Sequence, residues 1–235
     1  MPASIRLHVT AALAEGASIA ITPAQAHYLA TVMRRGPGGH VLLFNGRDGE
    51  FNARIETISR GVATLGVERQ TRPQADESDL WLAFALLKRD ATDLVVQKAT
   101  ELGVAELHPV ISAHANTHRA NPERLTAIAI EAAEQSERLT VPVLHPPRTL
   151  AALLSAWPPE RRLFAAVERR AAPRIPPIAG PRALLVGPEG GFTPAELDVL
   201  SAHPFVTPVS LGTRILRAET ACIAGLALLQ AADCR

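Results

Sequence analysis

Apolar and polar positions alternate with a period of two in five short runs near the start of the chain: Ile5 to Val9, Ser18 to Ile21, His40 to Phe44, Glu50 to Ile58 and Val62 to Glu68. Turn residues separate the runs, most densely at Asn45-Gly46-Arg47-Asp48-Gly49. The pattern predicts a small β-rich unit of barrel type. Between the second and third runs, Thr22 followed by Pro23 has the form of an N-cap with proline at the first helical position. One helix is expected there, through about Met33, with Gly36 to Gly39 ending it.

Gln70 to Asp79 is polar, contains proline and has no apolar period, so it reads as a linker between a domain at 1–72 and a second at 73–235. Beyond it the rhythm becomes strand, helix, strand. Leu80 to Leu87 is a continuous apolar run, Asp90 is placed to cap a helix through Leu102, and Gly103 stops it. Val104 to Ile111 again reads as a strand, and Asn121-Pro122 opens a helix with Leu125, Ile128, Ala129 and Ala132 on one face. Val141 to Leu144, Leu163 to Val167, Ala183 to Val186 and Phe205 to Leu211 are further buried strands. Thr193-Pro194-Ala195-Glu196 is a capping box, and a last helix spans about Ala218 to Ala232. Unbroken apolar strands alternating with helices predict an α/β domain whose mostly parallel sheet is covered on both faces, an open doubly wound sheet by pattern alone.

Composition narrows the classes. The 235 residues are 47% hydrophobic and 20% charged with a net charge of +1, which suits a packed core and not a disordered chain. No window of 18 uncharged apolar residues is present and Met1 to Thr10 has no apolar signal core, so a cytoplasmic protein without a membrane span is expected. Cys222 and Cys234 form no framework, and no metal is expected. Charge is uneven: residues 1–74 carry eight Arg against five acidic residues, a net of +3, while the remainder carries −2. Basic residues are 22 Arg and two Lys, a genomic habit or a provision for phosphate contacts.

In parallel sheets ligands sit at the carboxyl ends of the strands. Leu184 to Phe192 runs from a strand into Gly187-Pro188-Glu189-Gly190-Gly191, where glycines let backbone amides approach a ligand. No Lys-Ser or Lys-Thr pair follows, and Glu189 would repel a phosphate, so the loop suits a neutral or cationic ligand such as S-adenosylmethionine (SAM), or else is a ligand-free turn. Leu211 to Ala221 places Arg214, Arg217 and Glu219 at a helix entrance; Glu219 there also answers to the helix dipole, and Arg217 pairs with a carboxylate or holds an anionic substrate. Glu131, Glu134, Gln135 and Arg138 share one helical face, a solvated stripe or an RNA contact.

Gln97 to Val104 (QKATELGV), Glu131 to Arg138 (EAAEQSER), Gly187 to Phe192 (GPEGGF) and Leu211 to Ala221 (LGTRILRAETA), in this order, resemble the RsmE family of bacterial 16S rRNA (uracil-N3)-methyltransferases. The His27-Tyr28-Leu29 helix, Val32 to Arg35 and the Asn45-Gly46 turn extend the resemblance across nearly the whole chain. It implies a PUA-like RNA-binding β-barrel domain followed by a SPOUT-type α/β methyltransferase domain with a C-terminal trefoil knot. It further implies a homodimer, SAM as cofactor, and uridine 1498 of the 16S rRNA in the small ribosomal subunit as substrate. Carried over by motif, the cofactor residues are Glu168, Gly187, Pro188, Glu189, Gly190, Gly191, Leu211, Gly212, Ile215, Leu216 and Arg217. Two departures stand out: Ala218 stands where the family often has Thr, and Arg119 to Thr126 lacks the basic and aromatic run before the Glu131 helix.

Uracil N3 becomes a nucleophile once its proton leaves, and a guanidinium stabilises the charge that then spreads over the ring. Arg217 is the first choice for that role and Arg214 the second, with Glu219 or Glu189 to take the proton or orient the arginine. RNA phosphates are expected at Arg6, Arg34, Arg35, Arg47 and Arg54, and base stacking on Tyr28, Phe164 or Phe192. The rival readings are another SPOUT enzyme acting on a ribose 2′-hydroxyl and an RNA-binding protein without catalysis.

Overall fold

The computed structural model describes residues 5–59, 61–75, 77, 79–115, 117, 119–167, 172–176 and 180–231. The chain divides into two compact units, Met1–Asp76 with Ala133–Val141, and Glu77–Ala132 with Pro142–Arg235.

In the first unit the alternating runs become β1 (Arg6–His8), β2 (Ser18–Ile21), β3 (His40–Phe44), β4 (Glu50–Ser59) and β5 (Val62–Arg72). They form one mixed sheet in the order β1-β3-β4-β5-β2, with β1 parallel to β3 and the other pairs antiparallel. Inward residues such as Leu7, Ile19, Leu43, Ile55 and Leu65 share one core with Leu29. Thr22 and Gln25 form a capping box that opens α1 (Pro23–His27), and a π-helical turn over Tyr28–Val32 continues it. The strand β5 continues past Glu68, so the linker starts later than the composition suggests. Arg72 is in register with Glu50 and both Thr71 and Arg72 donate to the Glu50 carboxylate, which keeps this polar stretch in the sheet.

The second unit holds β6 (Leu80–Ala85), α2 (Arg89–Glu101), β7 (Glu106–Ile111), α3 (Pro122–Gln135), β8 (Val143–Leu144), β9 (Arg148–Thr149), α4 (Leu150–Ser155), β10 (Arg162–Ala166), β11 (Arg182–Val186), α5 (Pro194–Ser201), β12 (Val206–Val209) and α6 (Ala218–Gln230). The last three residues of α3 belong to the first unit. Every strand pair is parallel, in the order β12-β10-β11-β6-β7-β8, with β9 also on β7. Apolar runs at the centre read as buried on both faces because they are: all of Arg182–Val186 and nearly all of Leu80–Ala85 are buried.

Local rules explain the boundaries. Gly103 takes a φ of +71° after α2, the left-handed conformation that ends a helix at glycine. Asp90 sits in the first turn of α2 and not at its cap, which Lys88 occupies without a side-chain hydrogen bond. Thr149 caps α4, and this short helix and β9 went unread in the sequence. The helix α6 packs so closely on β11 that a Cβ on Gly225 would lie 2.6 Å from Leu184 Cδ2. Burial pushes the Cys222 thiol pKa up, so this thiol, fully enclosed in α6, stays protonated.

The polar stripe expected on one helical face is broken up. The helix α3 stops at Gln135, Glu137 takes a φ of +59°, and Arg138 is buried. Glu134 accepts from the His8 amide through its carboxylate, and the carbonyls of Ala133, Glu134 and Arg138 all accept from Arg6.

Candidate functional site

Parallel register brings three loops to one place. Ala166, the last residue of β10, is level with Val186 at the end of β11 and with Val209 at the end of β12. The chain therefore leaves three neighbouring strands at one edge, and there a cavity of about 700 Å³ opens. Its walls are Gly187–Phe192, Ser210–Leu216 and the strand ends Ala166, Val167 and Val186, with Leu197, Ala218 and Ala221 completing them.

Close packing, more than flexibility, explains two of the glycines. A Cβ on Gly187 would meet the Phe192 ring at 3.0 Å, and one on Gly190 would meet His114 at 3.1 Å. The far side of the same loop is held by the capping box of α5, in which the Glu196 amide donates to Thr193 Oγ1 and the Thr193 amide donates to Glu196 Oε2. The other oxygen of that carboxylate accepts from the Ala113 amide at 2.9 Å, and His114 Nδ1 lies 3.3 Å from the Gly191 carbonyl oxygen. The turn after β7 thus braces the glycine loop. Ala113 and His114 carry no signal in the sequence, whereas Glu196 was legible as a helix cap.

Nine of the residues expected to hold the cofactor line this cavity: Gly187, Pro188, Glu189, Gly190, Gly191, Leu211, Gly212, Ile215 and Leu216. Glu168 lies outside the described residues. Arg214 is also on the wall, and Arg217 and Glu219 are not. Arg217 occupies the N-cap of α6 in an extended conformation, its carbonyl accepting from the Ala221 amide, and Glu219 follows in the first turn. Both candidate arginines are exposed, Arg214 on the cavity wall and Arg217 next to the lining residue Leu216.

The front-domain arginines separate sharply. Arg34, Arg35, Arg47 and Arg54 are exposed. Arg6 is 6% exposed, so its expected phosphate contact is corrected: Nε donates to Glu50 at 2.7 Å, and Nη1 and Nη2 donate to the carbonyls of Ala133, Glu134 and Arg138. Burial alone would raise the Glu50 carboxyl, yet hydrogen bonds from Arg6 and Arg72 outweigh it and hold the group below the usual carboxylate range. Among the aromatic candidates Phe164 is buried in the sheet, Tyr28 packs partly on the first core, and Phe192 stands at the cavity.

Known proteins resemble this chain in sequence and in fold. A family described as the RNA methyltransferase domain matches residues 74–230, and one described as the RNA methyltransferase PUA domain matches residues 21–68. Ribosomal RNA small subunit methyltransferase E of Rickettsia conorii is 36% identical over 228 residues, covering 94% of this chain and 93% of that protein. The structure of a protein of the same name from Neisseria gonorrhoeae, bound to S-adenosyl methionine, aligns with a TM-score of 0.89 at 29% identity, over 97% of this chain and 98% of that one. The structure of a Legionella pneumophila protein in complex with the bound cofactor SAM gives the same TM-score and identity over 98% of both chains. With the rear unit matched across its strand-end loops and a relative aligned over nearly the full length, the chain belongs to the ribosomal RNA small subunit methyltransferase E family of RNA methyltransferases.

Proposed function

We propose that this protein transfers a methyl group from SAM to N3 of a uridine in the 16S rRNA of the small ribosomal subunit. The observation that carries the reading is the glycine-walled cavity at the level ends of β10, β11 and β12. Its volume lies within the range of roughly 300–1,000 Å³ typical of small-molecule sites. Its chemistry fits the cofactor: backbone amides and carbonyls of Gly187–Gly191 suit an amino acid and a nucleoside, Glu189 suits a cationic centre, and Leu197, Ile215 and Leu216 suit an adenine face. When bound there, SAM supplies an electrophilic methyl group on a sulfonium.

The protein's part is position and charge. Arg214, on the wall, is assigned the stabilisation of negative charge on the uracil once N3 loses its proton. Glu219, in the first turn of α6, or Glu189 on the wall is assigned to take up the N3 proton or to orient the arginine, and Arg217 at the N-cap is the alternative to Arg214. Arg34, Arg35, Arg47 and Arg54 are assigned to RNA phosphates on the strength of their exposure. A C-terminal trefoil knot, a homodimer and a cytoplasmic setting belong to the same proposal. Half-exposed Leu228 on α6 supports a protein contact, and no helix among the described residues is long and apolar enough to cross a membrane.

One assay tests the chemistry. Undermethylated small subunits are incubated with labelled SAM and the modified nucleoside is identified by mass spectrometry. N3-methyluridine is the expected product; a ribose-methylated nucleoside, or none, overturns the assignment.

A further inference from the structure

The strand next to β11 ends in a second groove, also of about 700 Å³, which the cofactor reading leaves without a role. It lies where β6 passes into α2, and its rim carries Lys88, Arg89, Arg119 and Arg124. We infer that this groove receives the phosphodiester backbone of the rRNA strand flanking the target nucleotide, with Lys88, Arg89 and Arg119 as its phosphate contacts. The inference rests on the methyltransferase proposed above and adds the path of its substrate.

Register places the groove. Val186, the last residue before the glycine loop, pairs with Phe84, and Lys88 follows four residues later. Neighbouring strands are about 4.8 Å apart, so the two sites open from adjacent strands at one edge of the sheet. The segment after β7 borders both: His114 packs on Gly190, while Thr117 and Arg119 to Arg124 line the groove. A polynucleotide that brings one base to the glycine cavity carries its neighbouring phosphates past this rim.

Charge selects the ligand. Arg124 is held by Asp93 at 2.5 Å, but among the described residues Lys88, Arg89 and Arg119 make no ion pair, and all three are exposed. Glu123 is the carboxylate among the lining residues. Three free cations against one carboxylate favour a polyanion over an acidic metabolite needing an enclosed pocket. The floor is rigid, because Thr92 Oγ1 accepts from the Leu87 amide and donates to its carbonyl, fixing the turn that presents Lys88. The amides at the start of α2 have no side-chain cap, and Asp90 in the same turn offsets only part of the positive charge of Lys88 and Arg89.

The test compares the wild type with the triple variant K88A/R89A/R119A. Cofactor affinity is read by calorimetry, and methylation of undermethylated small subunits is followed across potassium chloride concentrations. The expected result is an unchanged SAM affinity, a loss that falls on KM for subunits of roughly 30-fold or more, and a slope of log KM against log salt smaller by about 2, near 0.7 per lost phosphate contact. The charge-keeping variant K88R/R89K/R119K should restore most of the KM. An unchanged KM and salt slope overturns the groove, and so does loss of cofactor binding in the alanine variant, which would make these residues structural. Failure of the wild type to methylate rRNA at all instead overturns the underlying function.

Discussion

The cluster around Glu50 and the loops around the glycine cavity both gather arginine and glutamate, and they use them in opposite ways. At Glu50 the carboxylate and Arg6 are buried and saturated: Arg6 and the partly exposed Arg72 converge on one carboxylate, and Arg6 also lies 4.4 Å from the Phe44 ring centre. At the cavity, Arg214 is exposed beside a wall of backbone groups. The difference teaches that an arginine's neighbours in space, and not its neighbours in sequence, decide whether it holds a fold or meets a ligand.

The largest expected effect breaks the first half of that comparison. Glu50→Ala leaves the Arg6 guanidinium buried without its counter-charge and should cost about 3–5 kcal/mol of stability in chemical denaturation. A loss under 1 kcal/mol would show that the cluster is not a structural anchor. Next, Arg214→Ala should lower kcat by about 10²–10³ with SAM affinity little changed, and Arg217→Ala should lower it less. The reverse ranking in single-turnover assays would restore Arg217 to first place.

Gly187→Val sharpens the second half, since its side chain would meet Phe192. Overpacking of about 1–3 kcal/mol should appear as a ten- to hundredfold weaker SAM affinity by calorimetry. Burial of a titratable ring is tested by His108, which packs on Trp81, stacks on His145 and has Nε2 3.3 Å from Glu106 Oε2. Desolvation first, then the charges of His145, Arg148 and Arg161, bring its pKa down to about 3. On acidification the unfolded chain takes up this proton before the folded one does, so the contribution is complete above about pH 6.5 and is lost toward pH 3. Stability should fall by up to about 1.4 kcal/mol per pH unit in that window, and His108→Gln should flatten the slope. A variant with the wild-type slope would refute the assignment. Smallest of all, Arg54→Ala removes an exposed pair with Glu68 at 3.8 Å and should change stability by less than about 0.5 kcal/mol.

Much of this was legible in the sequence because it follows local rules. Period-two runs gave the front strands, unbroken apolar runs the parallel sheet, and Thr22 and Thr193 the helix starts. The glycine strings pointed to nine lining residues of the cavity. What stayed hidden depends on partners distant in the chain. Arg6 finds its carbonyls 127 to 132 residues away, and nothing near it in sequence hints at burial. Asp90 misses the cap of α2 by two positions because Thr92 fixes the preceding turn. Lys88 and Arg119 are separate in sequence and meet only because β6 and the segment after β7 end at the same edge.

The contact between Gly225 and Leu184 has a wider consequence. The tail helix begins directly after the loop that forms one wall of the donor cavity and lines that cavity with Ala218 and Ala221, so a side chain at 225 that pushed the helix off the central strand would shift this wall as well. A single methyl group at this position would act as a shim, altering the gap between two walls from well beyond the reach of either reactant.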